Sequence, residues 1–483
     1  MRALVMVLIL AAEAPSASPV LPGTPAALTP SAPLPPPAEQ RLARALFAQL
    51  VGIDTSAETG ATTPAAQLLA RRFRDAGFPA ADVVIAGPSP KKQNLVVRLR
   101  ASAGGAKAKP LLLLGHLDVV QALRSDWSLP TYQLTEKDGY FYGRGTQDMK
   151  GQVAIWVATL LRLKRERVAL DRDVIVALTA DEERGASTEN GVQWLLAHRK
   201  DLVDAALALN EGGGGEIKAG KRRANDVQAS EKGYLSFDLA VRDKGGHSSL
   251  PTKDNAITRL SEGLARLGRF QFPARIDPVV RLYFERMAAI ETGSIAADMR
   301  ALAAATGTPD AAAVARLAAL PYYNARLRTT CVPTRLAGGH ADNALPQLAT
   351  ALVNCRLLPG DTAAGVEKTL REVLGDASIE LGAKAPLEEG PVGPPAAEFM
   401  RTVDAVSARH FPGLPVVPIM STGATDGRFL RAAGIPTYGL SGLFSDVDDV
   451  RAHGRDERML VQAFYEGQQF VWDLVTALAT RAP

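Results

Sequence analysis

The chain has 483 residues, 47% of them hydrophobic and 22% charged, which excludes a disordered polymer and predicts a globular protein of two domains. A net charge of +4, with no long run of Lys and Arg, argues against nucleic acid as a partner; the short basic run KAGKRR (218–223) reads as a solvated loop. The two cysteines, Cys331 and Cys355, form no CxxC pair, so a thiolate metal site is not expected, and the spacing leaves their pairing open.

In chain order, Arg2 precedes the apolar run ALVMVLILAA (3–12) and then small residues. This order predicts a secretory signal over 1–17 and an exported protein, periplasmic or secreted. Ten apolar residues are too few for a bilayer span, so no stable membrane span is expected after signal removal. Nine prolines within 15–37 predict an extended Pro/Ala-rich linker over 18–38, with the folded part beginning near Ala38.

From there the pattern alternates. AEQRLARALFAQLVGI has helical spacing, and Thr63-Pro64 opens a second helix that Gly77 closes. NLVVRL and LLLLG read as strands, 151–167 as a helix, DVIVALTA as a strand, 188–198 as a helix and AALALN as a strand. Alternating helices and continuously apolar strands predict an α/β fold with a largely parallel, buried central sheet.

This pattern places the chemistry. His116, the run Asp181-Glu182-Glu183 and Glu211 each lie just past the carboxyl end of a strand, where open α/β sheets hold ligands. Asp148 follows a glycine turn and opens a helix; alone it would more often serve as an N-cap, and its special use would be to bridge two cations with its two oxygens. Asp118 is placed to accept the other ring proton of His116. Glu182 and Glu183 repel one another unless one binds metal while the other faces the substrate as a base. Glu211 could be an ordinary turn acid. The glycine run after it lacks the Lys-Ser/Thr of a phosphate loop. His453, in RAHGRDER, completes a donor set of imidazoles and carboxylates suited to a zinc-like ion.

From Tyr234 the pattern changes to period-two strands (LSFDLAVRD, RLRTTCVPTRL, TALVNCRL), with an Ala-rich helical segment near 270–323 between them. This predicts an inserted α+β lid domain over 234–390, within a catalytic domain formed by 39–233 and 391–483. A helix near 396–410, the segment STGATDGRFLRAAG and a strand at IPTYGL return the chain to the first domain.

The strings GHLDVV, GRGTQDMKG, TADEERG, LNEGG, GHSSLP, NALP with NCRLLPG, and AHGRDER occur in this order across roughly 110–460. The set resembles the co-catalytic di-zinc peptidases and deacylases that include carboxypeptidase G, carboxypeptidase S, aminoacylase, acetylornithine deacetylase and succinyl-diaminopimelate desuccinylase. The resemblance implies a di-zinc catalytic domain and a lid that often mediates dimerisation. It implies two Zn2+ per chain, with Co2+ or Mn2+ as substitutes. Asp148 would bridge them, His116 and Glu211 would complete one site, and Glu183 and His453 the other. Glu182 would be the general base, and Asp118 would support His116. His247 would polarise the scissile carbonyl, in its own or a partner subunit. Arg356, Asn343 and the backbone at Gly423 would hold substrate. The peptide bond after Asp148 would be cis. The Ala-rich insertion departs from the shorter members. The expected activity is hydrolysis of peptide or amide bonds by a metallocarboxypeptidase or dipeptidase needing a free substrate carboxylate. The alternative is an N-acyl-amino-acid deacylase. A non-catalytic metal-binding interaction protein is a distant third, because the base and every ligand are present.

Overall fold

The computed structural model describes residues 28–29, 32–102, 105–184, 187–385, 387 and 393–480. The expected signal and much of the linker fall outside these residues. The folded part begins earlier than the proline count implies. Leu28 and Ala32 are buried, and their amides donate to Gln462 Oε1 (2.8 Å) and Glu466 Oε1 (2.9 Å) on the terminal helix. Side-chain acceptors on a distant element thus hold a segment that makes no sheet or helix of its own.

Helix Pro37–Val51 starts with proline in its first turn, where the missing N–H costs nothing. Helix Thr63–Asp75 carries Pro64 in the same place. Gly77 follows it with φ 78°. These helices, Lys150–Arg165 and the terminal helix Val461–Thr480 share one large core.

The main sheet runs in the order Val83–Ser89, Lys92–Leu99, Val174–Thr179, Leu111–His116, Leu207–Asn210, Thr437–Gly439, Lys221–Glu231, Gly214–Lys218, Phe444–Asp446. Val416–Ser421 also pairs with Lys221–Glu231. The four strands from Val174–Thr179 to Thr437–Gly439 are mutually parallel, and antiparallel pairs flank them. The leucines of Leu111–His116 explain the continuous apolar run. Leu111 and Leu113 face the large core, while Leu112 and Leu114 face a second core with Val192, Leu195 and Leu430. A strand covered on both faces needs apolar residues at every position. Because the central strands are parallel, His116, the 181–183 turn and Glu211 emerge on one sheet edge.

The lid sheet is antiparallel, in the order Thr330–Gly338, Leu348–Leu357, Gly233–Arg242, Glu380–Ala383. Helices Ala256–Arg269 and Ala363–Leu374 cover it and form a separate core with it. Cys331 and Cys355 are register partners and are joined by a disulfide.

The Ala-rich insertion lies elsewhere than the sequence suggests. Helices Pro278–Met287, Gly293–Ala304, Ala311–Ala318 and Pro321–Leu327 contribute Val280, Phe284, Met299, Leu317 and Leu327 to the catalytic core, not to the lid core. Pro278–Met287 packs on strand Val416–Ser421, and Arg286 donates to the carbonyl of Val416 at 2.9 Å. Helical periodicity shows that an apolar face exists but does not say which body covers it. KAGKRR also departs from a solvated loop. It forms a hairpin, and its Arg222 is buried against Glu466.

Candidate metal centre

His116 ends its strand and is buried. Its Nε2 lies 3.0 Å from Asp148 Oδ1 and 3.4 Å from Glu211 Oε2. Its Nδ1 lies 3.0 Å from the main-chain oxygen of Asp118, but 3.9 Å from the Asp118 carboxylate. The ring proton therefore goes to the carbonyl, not to the carboxylate as the sequence suggests. That arrangement still fixes the tautomer and leaves Nε2 as the donor atom. The Asp118 carboxylate instead accepts the amides of Glu182 (3.2 Å) and Glu183 (3.0 Å). It ties one strand end to the loop of the next.

Asp148 sits between two imidazoles. Its Oδ2 is 3.0 Å from His453 Nε2, and His453 Nε2 is 3.0 Å from Glu183 Oε2. Two donor groups result, His116–Asp148–Glu211 and Asp148–Glu183–His453, each with its donor atoms within 4.8 Å of one another. The Asp148–Met149 peptide bond is cis. Asp181 and His453 both take left-handed conformations, φ 64° and 63°, which non-glycine residues adopt mainly where surroundings impose them.

The residues holding this geometry include two that the sequence reading missed. Glu457 is fully buried. Its Oε1 accepts the amides of Gln147 (2.7 Å) and Asp148 (3.0 Å), and its Oε2 accepts from Gly145 N (2.9 Å) and the Arg144 guanidinium (2.8 Å). Arg144 also donates to the carbonyl of His453 at 3.1 Å. One ion pair thus fastens both the Asp148 loop and the His453 turn. The signal was present, since Arg144 and Glu457 lie inside the GRGTQDMKG and AHGRDER strings. Gly145 is needed here: at φ 86°, a Cβ would stand 2.9 Å from Lys150 and Val119 side-chain carbons.

Electrostatics follow from four carboxylates gathered around two rings. Burial pushes Glu182 well above the usual carboxylate range, and the charge of Glu211 adds to this. Burial pushes Glu211 up to about 7 against the pull of His116. Burial would raise Asp148 too, but hydrogen bonds from His116 and His453 hold it well below its ordinary value. Hydrogen bonds to Asp148 and Glu183 push His453 up to about 10. Such a cluster invites cations. The donors are imidazole nitrogens and carboxylate oxygens, with both Nε2 atoms turned inward and no thiolate, a set that fits zinc, cobalt or manganese.

Glu182 lines a cavity of about 470 Å³ together with Asn190, Tyr234, Leu352, Arg428 and Phe429. Asp148 and Glu211 line a second, of about 260 Å³. Arg356 pairs in register with Tyr234, and its guanidinium lies 4.6 Å from the centre of that ring. Tyr234, not Arg356, lines the larger cavity. Asn343 and His247 stand together on an exposed ribbon. The Asn343 carbonyl accepts Ser248 N at 3.0 Å, and His247 Nδ1 accepts Ser249 N at 3.1 Å. Among the described residues, no hydrogen bond or ion pair joins either of them to the ligand cluster. Gly423 follows strand Val416–Ser421, and its amide donates to Ser421 Oγ at 3.1 Å.

Comparison with known proteins places this geometry. The model of peptidase family M20/M25/M40 matches residues 112–477. The human N-fatty-acyl-amino acid synthase/hydrolase PM20D1 is 27% identical over 408 residues, covering 76% of this chain and 74% of that protein. The probable carboxypeptidase S-like 2 of Dictyostelium discoideum is 25% identical over 376 residues, covering 76% and 71%. The crystal structure of the M20 family metallo-carboxypeptidase Sso-CP2 from Sulfolobus solfataricus superposes with a TM-score of 0.67 at 18% identity, covering 90% of this chain and 98% of that one.

Proposed function

This chain belongs to peptidase family M20/M25/M40, and from that premise we propose that it is a two-zinc carboxypeptidase or dipeptidase requiring a free carboxylate on its substrate. His116, Asp148 and Glu211 would hold one ion; Asp148, Glu183 and His453 would hold the other. When bound, the ions would supply Lewis acidity, making water a stronger nucleophile and polarising a carbonyl. Glu182 takes the proton from the attacking water and returns it to the leaving nitrogen. The observation that carries this reading is the contrast between neighbours. Glu183 contacts His453, whereas the Glu182 carboxylate has no hydrogen bond or ion pair among the described residues and faces the larger cavity. A raised pKa suits a group that must both accept and return a proton. Asp118 holds the Glu182 backbone in place.

His247 would polarise the scissile carbonyl. Its place on an exposed ribbon fits a partner subunit's site, in a dimer joined through the lid. Asn343, Gly423 and Arg356 would hold substrate. Export is part of the same reading. Among the described residues no helix is long and apolar enough to cross a membrane.

A second reading, N-acyl-amino-acid hydrolysis, is favoured by the similarity to PM20D1. Dipeptides, longer peptides, and short- and long-chain N-acyl amino acids assayed side by side separate the two. Preferential cleavage of dipeptides or C-terminal residues supports the first reading. Cleavage of N-acyl amino acids alone replaces it with the second. No cleavage of any by zinc-loaded enzyme removes both.

A further inference from the structure

The segment STGATDGRFLRAAG reaches the ligand cluster at a residue other than Gly423. Thr425 is buried. Its hydroxyl lies 2.9 Å from Glu231 Oε2, 3.0 Å from Asn210 Nδ2 and 3.1 Å from the amide of Gly427. A hydroxyl gives one proton and offers two lone pairs. The Glu231 carboxylate only accepts, so the proton goes there, and the two N–H groups fill the lone pairs. This fixes the Asn210 amide with its nitrogen towards Thr425. Glu231 is the last residue of its main-sheet strand, and the lid strand begins at Gly233. Its Oε2 also accepts the Thr425 amide (2.8 Å) and Gln228 Nε2 (3.2 Å), and its Oε1 accepts from buried Arg431. On the other side of Thr425, Asn210 is buried, ends the strand Leu207–Asn210 and directly precedes Glu211. Its carbonyl accepts Gln152 Nε2 (3.3 Å) and the Leu440 amide (3.4 Å). The main chain beyond it runs so close to Gly439 that a Cβ there would stand 2.2 Å from the carbonyl oxygens of Glu211 and Gly212. The backbone under Glu211 is thus held by its sheet neighbour, and the Asn210 side chain is held by Thr425.

We propose that Thr425 is a positioning residue for the metal centre: anchored on Glu231, it sets through Asn210 where the Glu211 carboxylate stands. This rests on the metal reading above and adds a residue to it. Among the described residues, no hydrogen bond joins Thr425 to the side chain of a presumed ligand, so it acts through its neighbour. Glu211 already stands 3.4 Å from His116 Nε2, and a metal ligand works only within about 0.2 Å of its proper distance. A strand end free to shift would not meet that tolerance. The hydroxyl is what the position demands. Valine has nearly the shape of threonine but would leave Asn210 Nδ2 and Glu231 each without a buried partner. Serine would keep every contact.

The test reads zinc occupancy at each site, from anomalous peak heights in crystals equilibrated at graded zinc, for wild type, Thr425→Val, Thr425→Ser, Glu211→Gln and the double variant Thr425→Val/Glu211→Gln. A melting curve of each metal-free protein accompanies it. Thr425→Val should need about 10-fold more zinc to fill the site of His116 and Glu211, the scale on which residues behind a ligand act. The site of Glu183 and His453 should change much less. Thr425→Ser should fill both sites as wild type does. The double variant should be no weaker than Glu211→Gln alone, because residues that act through one another do not add. Normal filling of both sites in Thr425→Val, however low its melting point, would make the hydroxyl merely structural and overturn the proposal. Equal weakening of both sites, weakening at Glu183 alone, an additive double variant, or a serine variant as weak as valine would overturn it too. If Thr425→Val does not melt cooperatively, Asn210→Ala, which leaves Thr425 on Glu231, is judged by the same outcomes. Wild type that takes up no zinc would refute the metal reading itself, and this proposal with it.

Discussion

Glu182 and Glu183 are adjacent in sequence but differ sharply in environment. Glu183 is a partner of His453, while Glu182 is half-buried, raised in pKa and uncommitted. Glu182→Gln is therefore expected to keep its metal content and lose turnover by ~10²–10⁴-fold, the scale of general acid–base catalysis. Glu183→Gln should instead weaken one metal site. Metal analysis and kcat for both variants check this, and the reverse pattern would exchange their roles. Glu457 is a residue of another kind. It touches no presumed ligand side chain, yet it holds the Asp148 amide and, through Arg144, the His453 carbonyl. Glu457→Ala leaves a buried guanidinium without its acid, which costs about 3–5 kcal/mol. The expected outcome is a lower unfolding midpoint together with weaker metal retention on dialysis. A stable variant with normal metal content would show that the loops hold without this pair. Neither partner could be assigned its task from sequence, because Arg144 and Glu457 meet across a separation of 313 residues. The presumed ligands were legible for the opposite reason: each lies at a strand end or glycine turn, where local pattern alone marks its position.

Between the main sheet and the lid, one buried lysine marks the crossing of elements. Lys232 stands between strands Lys221–Glu231 and Gly233–Arg242. Its Nζ donates to the Arg328 carbonyl (2.9 Å) and Thr330 Oγ1 (3.2 Å) at the start of the lid's outer strand. Burial, with the charge of Arg356, pushes its amine down to about 7. An unfolded lysine titrates near ~10.4. Between these values the unfolded chain binds the proton and the folded chain does not, so this residue's contribution to stability rises with pH across that window. Below about 7 both states are protonated and the slope disappears. The melting temperature of wild type relative to Lys232→Met should therefore climb from pH 7 to pH 10; a constant difference would mean the amine stays charged. At this scale the helices and strands were readable from apolar period, and the parallel order followed from alternation. The hydrogen bond to the Asp118 carbonyl was not readable, since residue types do not distinguish a side chain's oxygen from its own backbone oxygen. Nor was the ordered segment at Leu28 and Ala32, whose acceptors lie on a helix 434 residues away.

At the scale of the molecule, the main sheet has a core on each face and the lid has a third, and the insertion joins the largest. The lid that remains is a four-stranded sheet with two helices, and it brings Tyr234 and Leu352 to the cavity that Glu182 lines. Sequence pattern gave the insertion's helices but not their attachment, because amphipathic faces carry no address. On the larger body, Asp148 stands between His116 and His453 at the edge of the main sheet. The central claim is that this edge holds two ions through one shared carboxylate. The most direct measurement is a crystal structure of zinc-soaked protein with anomalous data at the zinc edge. The account predicts two peaks of comparable height about 3.5–4 Å apart, one bounded by His116 and Glu211, the other by Glu183 and His453, with an Asp148 oxygen on each. A single peak at saturating zinc, or two peaks that Asp148 does not bridge, would contradict it.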